Sequence, residues 1–235
     1  MRSFKYFDII MTTFVAVLIT SNITSSAKII DLRINFMNIP LAFDAGTLLF
    51  PVSYVFGDIL TEVYGFKRSR RVIWTGFFLL LITAFVIWAV GVLPGESTWQ
   101  LYAGDKAYNA ILGGMSSGGI VTASLIGYWF GEFINSFILA KMKVLTNGRW
   151  LWTRTISSTL LGEAFDSIIF ISIASIFGVF PWSLFSTLVI TNYLFKVFIE
   201  IILTPFTYLL IAKLKQAENE DYYDRDTNFN PFSNN

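Results

Sequence analysis

Apolar residues in this 235-residue chain gather into six long stretches, roughly 7–27, 43–65, 72–93, 117–140, 154–180 and 184–212. Each comes close to the ~20 mostly apolar residues that a transmembrane helix needs. The polar residues inside these stretches recur at spacings of four and three, which puts them on one face of a helix. The second stretch carries Tyr54, Asp58 and Thr61 with Glu62 beside them, and the fourth carries Ser124, Tyr128, Glu132 and Asn135. The fifth carries Thr155, Thr159, Glu163 and Asp166, and the sixth Asn192, Lys196 and Glu200. This pattern predicts an all-α membrane protein, six transmembrane helices in one bundle with their polar faces turned inward.

The second stretch is unusual because it contains Pro51. A helix over 51–64, stopped by Gly65, would span only ~21 Å, short of the ~30 Å hydrocarbon core. Residues 41–50 hold Asp44 and Gly46 and would suit a separate short element, which leaves open a break in helix 2 near Pro51, as in elements that line transporter sites. A continuous helix beginning at Asp44 and kinked at Pro51 is the alternative. Residues 94–119, with Trp99, Tyr102 and Tyr108, read as an interfacial segment. Residues 216–235 are polar and carry Glu218, Glu220, Asp221, Asp224 and Asp226. They read as an acidic disordered cytoplasmic tail, leaving residues 1–215 as the transmembrane domain.

Composition agrees. Mean hydropathy is +0.61, and charged residues make up 14% of the chain, against about 25% in soluble domains. Of the 17 basic residues, 13 fall at the termini and in the even-numbered connections. They are Arg2 and Lys5, Lys67, Arg68, Arg70 and Arg71, Lys141, Lys143, Arg149 and Arg154, then Lys213, Lys215 and Arg225. Positive-inside bias then predicts a multi-pass protein with both termini cytoplasmic. It also accounts for the KRSRR run at 67–71 without nucleic acid or anionic lipid as a partner. The basic, apolar N-terminal stretch imitates a secretory signal but is interrupted by Asp8, Thr12 and Thr13, and reads as a retained first span. With no cysteine and no histidine, the chain lacks the usual thiolate and imidazole ligands, and neither cofactor nor metal is expected.

Asp58, Glu132 and Glu163 each follow a glycine deep inside an apolar stretch. A carboxylate at that depth costs roughly 2.5–3.5 kcal/mol even on lenient insertion scales. Each lies nine residues from a basic boundary residue, Lys67, Lys141 or Arg154, which places all three at one level ~13 Å from that boundary. Glu200 falls only slightly higher. Lys196 is expected to neutralise one acid, Glu200 or Glu163, and cannot balance five. Charge-pair staples would explain part of this pattern; a ligand site explains the surplus. Carboxylates, carboxamides and aromatic rings at one depth suit a flat, hydrogen-bonding ligand, neutral or cationic. The candidate substrate-binding residues are Tyr54, Asp58, Tyr128, Glu132, Asn135, Glu163, Asp166, Asn192, Lys196 and Glu200, while Glu62 reads as interfacial.

Two blocks, FDAGTLLFPVSYVFGDILTEVYGFKRSRRVIW at 43–74 and GEFINSFILAKMKVLTNGRWLWTRTISSTLLGEAFDS at 131–167, resemble the queuosine precursor transporter family, six-helix bacterial inner-membrane proteins of the vitamin uptake type. The resemblance implies import of 7-cyano- and 7-aminomethyl-7-deazaguanine for tRNA queuosine salvage, by a transporter and not an enzyme. Under it, Glu132 or Asp58 would meet the base edge, with Asn135, Glu163 and Asp166 completing the pocket. The rival reading is a membrane subunit that binds another vitamin-like heterocycle and is energised by a separate ATPase, since no Walker motif occurs in the chain. Energy coupling and oligomeric state, a homo-oligomer included, stay open.

Overall fold

The structure is a computed structural model that describes residues 4–36, 39–116 and 118–233. Its long helices follow the apolar stretches: α1 Phe7–Ala27, α3 Phe66–Val92, α6 Gly119–Leu145, α7 Leu151–Ile176 and α8 Phe185–Glu218. Among the described residues, five helices are long and apolar enough to cross a membrane. Between α1 and α3 the predicted second span is a series of short pieces. A 3-10 turn at Ala45–Leu48 leads into α2, Phe50–Ile59, with Pro51 in its first turn, and a π-helical turn, Leu60–Tyr64, completes it. Pro51 suits that first turn because its missing N–H needs no partner there. Gly65, at φ 87°, then reverses the chain into α3, and the ring of Tyr222 lies against it where a Cβ would be.

An antiparallel hairpin, β1 Ile29–Phe36 and β2 Ile39–Asp44, precedes these pieces. It is an addition to the all-α expectation. Its pairing runs from Ile29 opposite Asp44 to Phe36 opposite Ile39, with a bulge between Asp31 and Asn35. The hairpin is anchored through Phe43, which is buried and stacks on Phe195 of α8 at 4.8 Å. Asp44 caps the 3-10 turn by accepting from the Thr47 amide at 3.2 Å and the Thr47 hydroxyl at 2.8 Å, and it also accepts from Ser25. The interfacial segment forms two shorter helices, α4 Ser97–Tyr102 and α5 Gly104–Ser116; α5 packs on α1 and α3.

The bundle is ordered inside out relative to a soluble protein. Phe78, Leu81, Ile82, Phe85, Trp88, Phe198, Ile202 and Phe206 are exposed, whereas Asp58, Glu62, Glu132, Asn135, Glu163, Lys196 and Glu200 are buried. An apolar surface of that extent calls for lipid. The most extensive helix pair is α6 with α7, and glycine allows it. A Cβ on Gly131 would sit 3.2 Å from the Gly162 carbonyl, and one on Gly162 would sit 3.0 Å from the Gly131 carbonyl. Small residues let membrane helices approach this closely, where dispersion and not the hydrophobic effect drives association.

The expectation of a disordered tail is corrected. Residues 219–233 run as a strap across the basic end of the bundle. The Tyr222 amide donates to the Val63 carbonyl at 3.3 Å, and Asp224, buried, accepts from the Phe66 amide at 3.0 Å. Phe229 packs on Phe66 at 4.9 Å and Phe232 on Trp74 at 5.7 Å. Composition read as disorder because aliphatic residues are few, but four aromatic rings, Asp221 and Asp224 find partners among the aromatic and basic residues of the bundle.

Candidate functional site

The polar faces of α2, α6, α7 and α8 meet in the interior, and Asp58, Glu132, Asn135, Glu163, Asp166, Asn192, Lys196 and Glu200 are each 5% exposed or less. The Asn135 amide of α6 donates to Asp58 Oδ1 of α2 at 2.9 Å. Lys196 of α8 is held between two acids of α7. Its ammonium lies 3.0 Å from Glu163 Oε2, donates to Asp166 Oδ2 at 2.6 Å, and sits 4.2 Å above the ring of Phe50. Lys196 therefore joins Glu163, as one of the two sequence alternatives had it, and turns away from Glu200. Tyr54 of α2 borders the same cluster, its hydroxyl directed to Glu163.

The glycines before the acids make room for the neighbouring helix's carboxylates. A Cβ on Gly57 would stand 3.0 Å from Glu132 Oε2; one on Gly131 would stand 2.9 Å from the Asp166 Cβ. The FGD and FGE frames thus let α2, α6 and α7 close around one another at the level of the charges. Tyr128 is buried too, but its hydroxyl donates to the Ile73 carbonyl of α3 at 3.1 Å, so that hydrogen is engaged outside the acidic cluster.

The cluster is under-satisfied. Among the described residues, Asp58 Oδ2, Glu132 Oε2, Asn135 Oδ1, Asn192 Oδ1 and both oxygens of Glu200 have no hydrogen-bond partner. Buried polar atoms are nearly always paired, and here most of the unpaired ones are acceptors. The group is an acceptor-rich cluster suited to a ligand with several N–H donors. Among the described residues, no three acidic side chains are grouped as ligands of a metal ion.

A second charged node, nearer the basic end, escaped the sequence reading. Glu62, expected at the interface, is fully buried in the π-helical turn. It accepts from Arg154 Nε at 2.9 Å and Nη2 at 2.8 Å, and from Lys215 at 2.6 Å, while Lys143 lies 3.4 Å away. Asp221 of the strap joins both lysines, at 2.6 Å to Lys143 and 2.8 Å to Lys215. The node ties the π-helical turn, α6, α7, α8 and the strap into one network. The available sequence signal was Glu62's place one turn after Asp58. Its partners lay in segments whose charges topology already explained.

Comparison with known proteins places this architecture. A model of the family described as "Putative vitamin uptake transporter" matches residues 44–210, more than half of the chain. The chain belongs to the vitamin uptake transporter family. That match runs from the cap of the 3-10 turn through most of α8 and contains every candidate residue of the acidic cluster. Three transporters are similar to it over most of their own length. A "Probable queuosine precursor transporter" of Bacillus subtilis (strain 168) is 26% identical over 177 residues, 75% of this chain and 73% of the relative. Its counterpart of the same description in Haemophilus influenzae is 29% identical over 182 residues, covering 74% and 73%. The "Queuosine precursor transporter" of Escherichia coli (strain K12) is 24% identical over 205 residues, covering 84% and 86%. No solved structure matches. This member of the family is a multi-pass membrane protein with a transport role, and the family assignment agrees with its lipid-facing apolar surface and polar interior.

Proposed function

We propose that this protein imports queuosine precursors, 7-cyano-7-deazaguanine and 7-aminomethyl-7-deazaguanine, across a bacterial inner membrane for salvage into tRNA. The observation that carries the reading is the cluster of unpaired acceptors on Asp58, Glu132 and Asn135, together with the described function of the three relatives. A deazaguanine edge presents N1–H and an exocyclic amine side by side, a donor pair that a buried carboxylate accepts. Glu132 or Asp58 takes that edge, Asn135 completes it, and the Glu163–Asp166 pair with Lys196 closes the far side. The aminomethyl base adds a cation that a second carboxylate holds. Tyr54 and Phe50 offer rings for stacking.

In this reading the segment from Asp44 to Tyr64 is the sixth crossing, discontinuous at the junction before Pro51. Its α and π turns cover only ~22 Å, and the hairpin supplies the rest of the path. The basic end, with both termini and the strap, faces the cytoplasm, as positive-inside bias requires. Expression in a bacterium that neither makes nor imports 7-deazaguanines, fed each base at nanomolar concentration, tests the proposal. Queuosine in tRNA restored by one or both bases supports it. No restoration, with the protein confirmed in the membrane, contradicts it as stated and favours a binding subunit that needs a separate ATPase.

A further inference from the structure

The KRSRR run is not used by the transport reading, yet the fold gives it a pocket. Lys67, Arg70, Arg71, Trp74, Thr75 and Phe78 of α3 face the strap residues Pro231, Phe232 and Ser233 across a cavity of about 520 Å³. On α3, Lys67, Arg71, Thr75 and Phe78 are spaced four, four and three, so they form one stripe along the helix. The stripe passes from two cations, through a hydroxyl, to a phenyl ring that is 54% exposed on the lipid-facing side. Phe78 also stacks on Trp74 at 5.7 Å, and Trp74 donates its indole N–H to the Pro231 carbonyl at 2.9 Å. The pocket is cationic at the end of the bundle and aromatic towards the membrane.

Two of its cations, Lys67 and Arg71, have no acidic partner among the described residues. Arg70 is buried and donates to the Asn228 and Asn230 carbonyls at 3.1 and 2.7 Å, which fixes the strap as the opposite wall. Lys67 and Arg71 are exposed. Like charges four apart on a helix repel, and an anion between them removes the repulsion. Positive-inside bias requires basic residues at this end of α3. It does not require them to line a cavity with an aromatic wall opening onto lipid.

We propose that this pocket binds an anionic phosphate ester, its phosphate between Lys67 and Arg71 and its apolar part along Trp74 and Phe78. An anionic phospholipid headgroup and a soluble phosphate ester share that chemistry, and a membrane-facing aromatic wall serves the lipid. The strap, absent from the family match at 44–210, is what makes the site a pocket instead of an open helix face.

Native mass spectrometry of the purified full-length protein tests this directly. The probes are phosphatidylglycerol, phosphatidylcholine and glycerol 3-phosphate. Wild type is expected to retain one phosphatidylglycerol through delipidation in preference to phosphatidylcholine. K67Q/R71Q should reduce that retention by roughly thirtyfold, as loss of two cations at an anionic headgroup predicts. T75W, which fills the cavity while keeping both cations, should reduce it as well, and far-UV circular dichroism confirms that both variants are folded. Should K67Q/R71Q fail to fold, T75W alone decides. Binding of glycerol 3-phosphate as tight as the lipid would reassign the pocket to soluble phosphate esters and overturn the lipid's part in it. Equal retention of the two lipids by wild type, or phosphatidylglycerol retention unchanged in the folded variants, would overturn the proposal.

Discussion

Replacing Glu62 with glutamine keeps the shape of the side chain and removes its charge from beneath three cations. Glu62 is 0% exposed, and its partners Arg154 and Lys143 are 1% and 2% exposed, with Lys215 at 22%. One carboxylate holds a bidentate guanidinium and a lysine, with a second lysine alongside. Removing one partner from a buried ion pair costs about 3–5 kcal/mol, because the opposing charge is left without compensation. Asp221 cannot substitute for it. Its side chain is 44% exposed, and it reaches only the two lysines. For chains of 150–250 residues each kcal/mol moves Tm by roughly 2–4 °C, so E62Q should melt about 6–20 °C below wild type. Tryptophan fluorescence of the detergent-solubilised protein during heating reads this. E62Q/R154M should be less destabilised than the sum of E62Q and R154M, since the pair is lost once and not twice. A shift of E62Q within about 1 °C, well under the smallest expected from the scaling, would refute a structural role for the node.

Lys196→Met leaves Glu163 and Asp166 buried with no ammonium between them, and the same melting assay should show a loss of about 3–5 kcal/mol; an unchanged melt would mean that both acids are neutral in the fold. Gly131→Ala should disrupt the bundle more than Gly57→Ala. The first Cβ meets the Asp166 Cβ at 2.9 Å and the Gly162 backbone at 3.2 Å, the second only the movable end of Glu132 at 3.0 Å; equal melting temperatures would count against the close α6–α7 packing. The strap should loosen in acid. Burial alone would raise the Asp221 carboxyl, but the hydrogen bond and charge of Lys143, with Lys215, hold it below the usual carboxylate range. A lowered folded-state value means that the stability is present above the ordinary carboxylate pKa and is lost as pH falls through the folded one. Burial raises Asp224 instead, so its contribution has the opposite sign. Protease cleavage within 219–233 should therefore accelerate more with falling pH in wild type than in D221N, which should already be cleaved readily at neutral pH; identical profiles would remove Asp221 from the latch.

The long elements were legible because membrane helices need long apolar runs. The stretches at 7–27, 154–180 and 184–212 coincide closely with α1, α7 and α8, and the three-and-four spacing of acids marked the buried faces. The β1 signal was present but passed over. Ile30, Leu32, Ile34 and Phe36 alternate with Asp31, Arg33 and Asn35, a period-two pattern that a search for helical spans does not weigh. The Glu62 node was hidden for a different reason. Arg154, Lys143 and Lys215 come from α7, α6 and α8, and a basic residue near a helix end looks the same in sequence whether it faces water or a buried acid. Lys196 shows the limit of local reasoning. Glu200 is one turn away on its own helix, yet the ammonium goes to Glu163 and Asp166 across the interface, where two carboxylates outbid one. The strap was misread from its acids; Tyr222, Tyr223, Phe229 and Phe232 were the signal that it had something to pack against.

The central claim is that the unpaired carboxylates of α2 and α6 hold the base. Equilibrium binding of radiolabelled 7-cyano-7-deazaguanine to the purified protein, compared among wild type, D58N and E132Q, tests it most directly. Loss of a charge-assisted pair of hydrogen bonds, each worth about 1.5–3 kcal/mol, predicts a Kd at least roughly tenfold weaker in one or both variants with their melting profiles retained. Wild-type affinity in both folded variants would contradict the account and place the base elsewhere in the bundle.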